Sequence, residues 1–237
     1  MDSIPSYIPG TFIAIVVAVL SFMLYAISQA APGKKNLTPS ISITLLIGWI
    51  FLVSVLTFND FFQDFSFPPR LIFFLGGPAF FIVMLFTYPK SREFLMEIPL
   101  TTLHYIHIVR VPIEMVLWWL SVCMLVPMEL TFEGENLDII SGISAPFAAV
   151  FMVGSRSKNR VGAVIWNLLA LGLLLNIALK AISVTPYFYT PTHDLVANTG
   201  VFQFPYILLP TFVVPVILFS HIVALYQLFF KKDHPHF

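Results

Sequence analysis

Apolar residues run along this chain in long blocks separated by short polar segments. Seven blocks stand out, at residues 10–31, 41–58, 71–88, 98–126, 139–154, 161–184 and 202–230. A hydrocarbon layer about 30 Å thick needs about 20 apolar residues at 1.5 Å rise each. The pattern therefore predicts an all-α polytopic membrane protein, a bundle of seven transmembrane helices forming one domain over 1–237. The fifth block has sixteen residues, which reach only about 24 Å. It is rich in small residues, including Ser141, Gly142, Ser144 and Ala145, and small residues let helices approach closely in lipid. It reads as a short central helix. The fourth and seventh blocks are long and contain proline, Pro112 in one and Pro205, Pro210 and Pro215 in the other. Such residues bend helices and free backbone carbonyls.

The polar breaks carry an orientation. With the N-terminus outside, seven crossings place Lys34, Lys35, Lys90, Arg92, Arg156, Lys158, Arg160, Lys231 and Lys232 on the cytoplasmic side, against Arg70 alone outside. That distribution obeys the positive-inside rule. Asp2, Asp60, Asp64, Glu129, Glu133, Glu135, Asp138 and Asp194 fall outside, which supports the same direction with less force. The first block ends in small residues like a secretory leader, but Asp2 precedes it and the lysines follow it. A leader has the opposite polarity, so the block is expected to stay as an anchor.

Composition agrees. The 237 residues are 58% hydrophobic and 10% charged, with 25 Phe and a mean hydropathy of +0.90; ordinary soluble domains carry roughly 25% charged residues. Twelve basic residues balance twelve acidic ones, so no net field draws nucleic acid. The single cysteine, Cys123, forms no intrachain disulfide.

Chemistry concentrates in the fourth block, in the run His104-Tyr105-Ile106-His107-Ile108-Val109-Arg110-Val111-Pro112-Ile113-Glu114. At 100° per residue, His107, Arg110 and Glu114 fall within about 60° of one another, and His104 widens the arc to about 120°. Ionisable groups inside a membrane are costly and ask for partners, so the stripe is expected to face the bundle interior. Arg110 and Glu114, four apart, are spaced to pair along the helix. Asn167 and Asn176 on the sixth block are candidate partners, and His104, His107, Arg110, Glu114 and Asn176 make up a candidate ligand or proton site.

His104, His107 and His221 also raise a metal or haem reading, since imidazoles on separate helices can hold zinc or ligate haem. A satisfied structural histidine is the commoner case. Retinal is improbable: the last block has no internal lysine, and Lys180 sits near the end of the sixth, where its long side chain can reach water. Ser144 lies too far along its span from His221 for a hydrolytic dyad, and His193 has nothing to favour it. The loop 127–138 gathers Glu129, Glu133, Glu135, Asn136 and Asp138 without a calcium-loop register, and reads as a solvated acidic cap with Asp138 at a helix start.

The stretches Phe132-Glu133-Gly134-Glu135-Asn136-Leu137-Asp138-Ile139 and Leu209-Pro210-Thr211-Phe212-Val213-Val214-Pro215, followed by Leu218-Phe219-Ser220-His221, resemble those of a functionally uncharacterised group of small bacterial polytopic inner-membrane proteins. The likeness covers roughly the C-terminal three fifths of the chain. It implies a multi-pass protein of the bacterial inner membrane and transfers no catalytic residue.

The expected function is binding of a small ligand, or handling of protons, at the buried His/Arg/Glu stripe, in a transporter-like or sensory protein. The alternatives are an intramembrane metal- or haem-dependent enzyme using His104, His107 and His221, and a structural scaffold. Expected partners are the lipid bilayer and a small molecule or proton, with oligomers possible and nucleic acid not.

Overall fold

A computed structural model describes residues 4–30, 37–154, 159–189 and 196–231. Several residues of the charge count, Asp2, Lys34, Lys35, Arg156, Lys158, Asp194 and Lys232, lie outside the described residues, as does His193. Every regular element among those described is helical: α1 Tyr7–Ala30, α2 Leu37–Phe58, α3 Arg70–Thr87, α4 Pro89–Glu97, α5 Leu100–Tyr105, α6 Arg110–Val122, α7 Asp138–Phe147, α8 Arg160–Ser183 and α9 Val214–Phe230, with single turns between some of them.

Six helical rods are long and apolar enough to cross a membrane, namely Tyr7–Ala30, Ser40–Phe58, Arg70–Thr87, Leu100–Val122, Arg160–Ser183 and Leu209–Phe230. The fifth predicted block is the shorter apolar helix Asp138–Met152. The fourth block ends earlier than its hydrophobicity suggested. Met124 takes a left-handed conformation at φ 59°, its N–H donates to Ser121 O and that of Leu125 to Leu120 O. This is the double bond of a Schellman cap, and it stops the helix inside an apolar run. The seventh block starts later: a π turn spans Leu209–Val213 and α-helix runs only from Val214, in a stretch where prolines at 205, 210 and 215 supply no N–H. Helix α4 had no hydrophobic signal, being a polar connector that buries only Ser91 and Leu95. The Gln227 amide donates to Leu95 O (2.7 Å) and Ile98 O (2.8 Å), tying α9 to the end of that connector.

Leu100–Val122 and Leu209–Phe230 are the most enclosed rods, while α2, α3 and α8 are the most exposed. Phe51, Phe58, Phe73, Phe80 and Leu169 stand open on that outer surface. Lipid tails are as apolar as the side chains, so burial alone does not hold such rods together; close packing and hydrogen bonds between helices do. Proline supplies some of those bonds. Pro215 has no N–H to give Thr211 O four residues back, and the freed carbonyl accepts from Trp49 Nε1 of α2 at 2.8 Å. Gly77 of α3 makes room for that indole, since a Cβ there would stand 2.9 Å from its Cη2 atom.

Candidate functional site

The polar stripe predicted on the fourth block is buried throughout. His104, His107, Arg110 and Glu114 are each 2% exposed or less. The rod that carries them is not continuous α-helix. Residues Ile106–Val109 form a 3-10 turn, in which residues three apart eclipse. His104, His107 and Arg110 are thereby drawn towards one line, where uniform α geometry would spread them. Pro112 lies just beyond this turn and cannot supply the amide N–H that an α-helix would bring to Ile108 O.

The stripe divides into two sites. At the upper one, Arg110 Nε stands 3.0 Å from Asp138 Oδ2 at the start of α7, close as an ion pair but off the N–H direction. Its Nη2 donates to Ala170 O of α8 at 3.2 Å. The pairing expected with Glu114 is thus made across to α7 instead. Glu114 Oε1 accepts from the Asn136 amide at 2.5 Å; the same amide donates to Leu130 O at 3.1 Å. Asn136 Oδ1 in turn accepts from Asp138 N at 2.9 Å. One asparagine therefore holds the Glu114 carboxyl and the backbone of Asp138.

This changes the reading of the loop 127–138. Glu129, Glu133 and Glu135 are exposed as expected of an acidic cap. Glu135 pairs with Lys180, whose hydrogen bond and charge hold the carboxyl below its ordinary range. Asn136 and Asp138 fold inward instead and are buried. Asp138 looked like an ordinary helix start from sequence, and the only signal of its burial was the shortage of acceptors for a guanidinium inside the membrane.

Gly142 permits the ion pair. A Cβ at that position would lie 2.8 Å from Val111 Cγ2, 3.0 Å from Val111 N and 3.1 Å from Arg110 Cβ, so α7 rests directly on the backbone of α6. Ser144, two residues on, accepts from Trp166 Nε1 at 2.9 Å, a packing role.

Arg110, Glu114 and Asp138 line a cavity of about 130 Å³, smaller than an apolar groove elsewhere in the bundle.

 The larger groove, about 210 Å³, lies between α1, α2, α3 and α9 and is lined almost wholly by apolar side chains. The smaller cavity is walled by Leu71 and Leu75 of α3, by Leu174, Ile177 and Ala178 of α8, and by Pro210, Val214 and Ile217 next to or on α9. Asn198, from the segment before α9, lines it as well. Besides Arg110 Nε, which faces Asp138, four polar atoms of its lining residues are buried and have no hydrogen-bond partner among the described residues: Glu114 Oε2, Asp138 Oδ1, Asn198 Oδ1 and Arg110 Nη1. Leaving such groups unfilled is costly.

At the lower site the three histidines do come together, around Trp166 of α8. His107 and His221 stack with ring centroids 4.0 Å apart and planes 25° apart. Asn167 bridges the others: its amide meets His104 Nε2 at 3.0 Å and its carbonyl meets His221 Nδ1 at 2.9 Å. The hydrogen-bond pattern assigns the tautomers. His104 Nδ1 donates to Leu100 O at 2.8 Å, so its Nε2 accepts from Asn167. Ser220 gives its proton to Ile217 O, so His107 Nε2 donates to the serine oxygen at 3.2 Å. The free lone pairs are then His107 Nδ1 and His221 Nε2, both buried and without a partner among the described residues.

This geometry bears on the metal and haem readings. Both nitrogens of His104 are engaged, and among the described residues no group of three or more His, Cys, Asp or Glu side chains is placed to hold a metal. The stack of His107 on His221 leaves no gap for a porphyrin between the two rings.

Asn176 does not join either site. It lies on the exposed face of α8, whereas Asn167 is fully buried. Nine residues separate them, which is two and a half helical turns, so the two amides point to opposite sides of the rod. Lys180 sits at the end of α8 against Glu135.

Six long apolar helices around a buried ion pair make this an all-helical protein compatible with multiple membrane crossings. Residues 67–229 match the family described as a domain of unknown function, DUF8737, and the chain belongs to that family. No curated protein and no solved structure matches it. The matched region contains every residue of both sites.

Proposed function

We propose that this is a multi-pass membrane protein, transporter-like or sensory, that binds a small amphiphilic ligand in the cavity between α3, α6, α8 and α9. The observation that carries the reading is the pairing of apolar walls with buried, unfilled polar atoms on Arg110, Glu114, Asp138 and Asn198. Ligand sites are mostly apolar with a few convergent polar groups, whereas a purely architectural ion pair gains from having every atom satisfied. The short helix Asp138–Met152 makes a seventh crossing in this reading, its length compensated by its position among longer rods. The charge distribution favours an outside N-terminus and a cytoplasmic C-terminus, and the resemblance to small bacterial polytopic proteins is what suggests the bacterial inner membrane.

The test uses 1-hexanol as a probe with the full-length protein in lipid nanodiscs. At ten times its dissociation constant a ligand stabilises by about 1.4 kcal/mol, which raises the unfolding midpoint of a chain this size by about 3–6 °C. Ala178→Trp fills the cavity from α8 and is expected to abolish the shift. Equal shifts in both proteins would mean that the alcohol acts through the bilayer, and the cavity reading would fall.

Proton handling is a second reading, supported by the two free imidazole lone pairs on His107 and His221. It predicts that proteoliposomes acidify under a pH gradient and that His221→Ala slows this at least ten-fold. Unchanged flux in that variant would remove the reading.

A further inference from the structure

We propose that the cavity is selective for a small lipophilic amine bound as its ammonium, an assignment that rests on the ligand-site reading and names the ligand's class. Three of the four unfilled polar atoms are acceptor oxygens, Glu114 Oε2, Asp138 Oδ1 and Asn198 Oδ1. An ammonium carries three donors and no acceptor, so it complements that set; a hydroxyl has one proton to give. Charge selects in the same direction. One guanidinium faces two carboxyls, and Arg110 is already paired with Asp138, which leaves the carboxyl of Glu114 without a salt bridge among the described residues. A carboxylate ligand would meet Arg110 Nη1 only beside both acidic groups. Lys180, near the C-terminal end of α8, is engaged by Glu135.

Size bounds the body of the ligand. A cavity of about 150 Å³ accommodates benzene, so about 130 Å³ accepts a body of similar size. Leu71 and Leu75 on one side and Leu174, Ile177 and Val214 on the other offer it only hydrocarbon.

Hexylamine, 1-hexanol and hexanoate share a chain and differ in the head. Their affinities for the full-length protein in nanodiscs, read from unfolding midpoints against concentration, test the assignment. The expected order is hexylamine at least ten-fold tighter than 1-hexanol, with hexanoate weakest. Glu114→Gln and, separately, Asn198→Ala are expected to reduce the ratio of amine to alcohol affinity about ten-fold and three-fold. The wild-type order needs no variant, so it decides the matter even if a variant fails to fold. Equal affinity for amine and alcohol, tighter binding of hexanoate, or equal stabilisation by methylammonium or sodium ion alone overturns the assignment. In the first of these cases 1-hexanol still binds and Ala178→Trp still blocks it, so the cavity remains a ligand site. Absence of any cavity-dependent shift removes both.

Discussion

Replacing Arg110 with methionine is expected to destabilise the protein by about 3–5 kcal/mol, the loss typical when one member of a buried ion pair is removed. Methionine keeps much of the volume but leaves Asp138 and Glu114 without the cation, at positions 6% and 2% exposed. It also strips Ala170 O of the contact that joins α6 to α8. The charge is the cause to isolate, and a double-mutant cycle does so. Asp138→Leu alone leaves an unpaired buried guanidinium, whereas the double variant has no ion pair to satisfy and is expected to recover about 1–3 kcal/mol relative to additivity. Equilibrium unfolding in mild detergent measures each corner of the cycle. A single-variant loss below about 0.5 kcal/mol, the range of an inert surface change, would show that Arg110 does not hold the bundle.

Gly142→Val is expected to be almost as damaging, by a different route. Its first added carbon already lies 2.8 Å from Val111 Cγ2 and 3.0 Å from Val111 N, and a backbone atom cannot swing away. Overpacking in a tight interior costs about 1–3 kcal/mol. The displacement of α7 would also pull Asp138 from Arg110 and Asn136 from Glu114, so the variant should lose 1-hexanol binding along with stability. Gly172 is the control: a Cβ there meets nothing within 4 Å, and Gly172→Ala should change neither property. If Gly142→Val binds 1-hexanol like the parent, the geometry of α7 is not what shapes the cavity.

Much of the arrangement was readable along the chain because the bilayer imposes a length on every crossing. Six of the seven predicted blocks are long apolar rods, and the one flagged as short by its sixteen residues is short. The inward-facing stripe followed from the cost of placing His104, His107, Arg110 and Glu114 in lipid. Its partners were harder. Spacing of four suggested an Arg110–Glu114 pair, but neighbours along a helix are only one choice when another helix approaches at Gly142. Asn176, an amide in an apolar span, invites a partner, but its helical phase relative to Asn167 puts it outside the site. The sequence shows Asp138 only as a helix start, a local role that says nothing of what the start of α7 points at.

Hydrophobic run length and the cost of an isolated charge are local quantities, and from them the chain alone determines the number of apolar blocks, an all-helical class and an inward polar stripe. The choice of Asp138 over Glu114 as the ionic partner of Arg110, the engagement of His104 and His221 by Asn167, and the cavity between α3 and α8 are products of how the rods are set beside one another. The ion pair and the two Asn167 contacts join residues 28 to 63 positions apart, a separation over which no periodicity within one segment carries information.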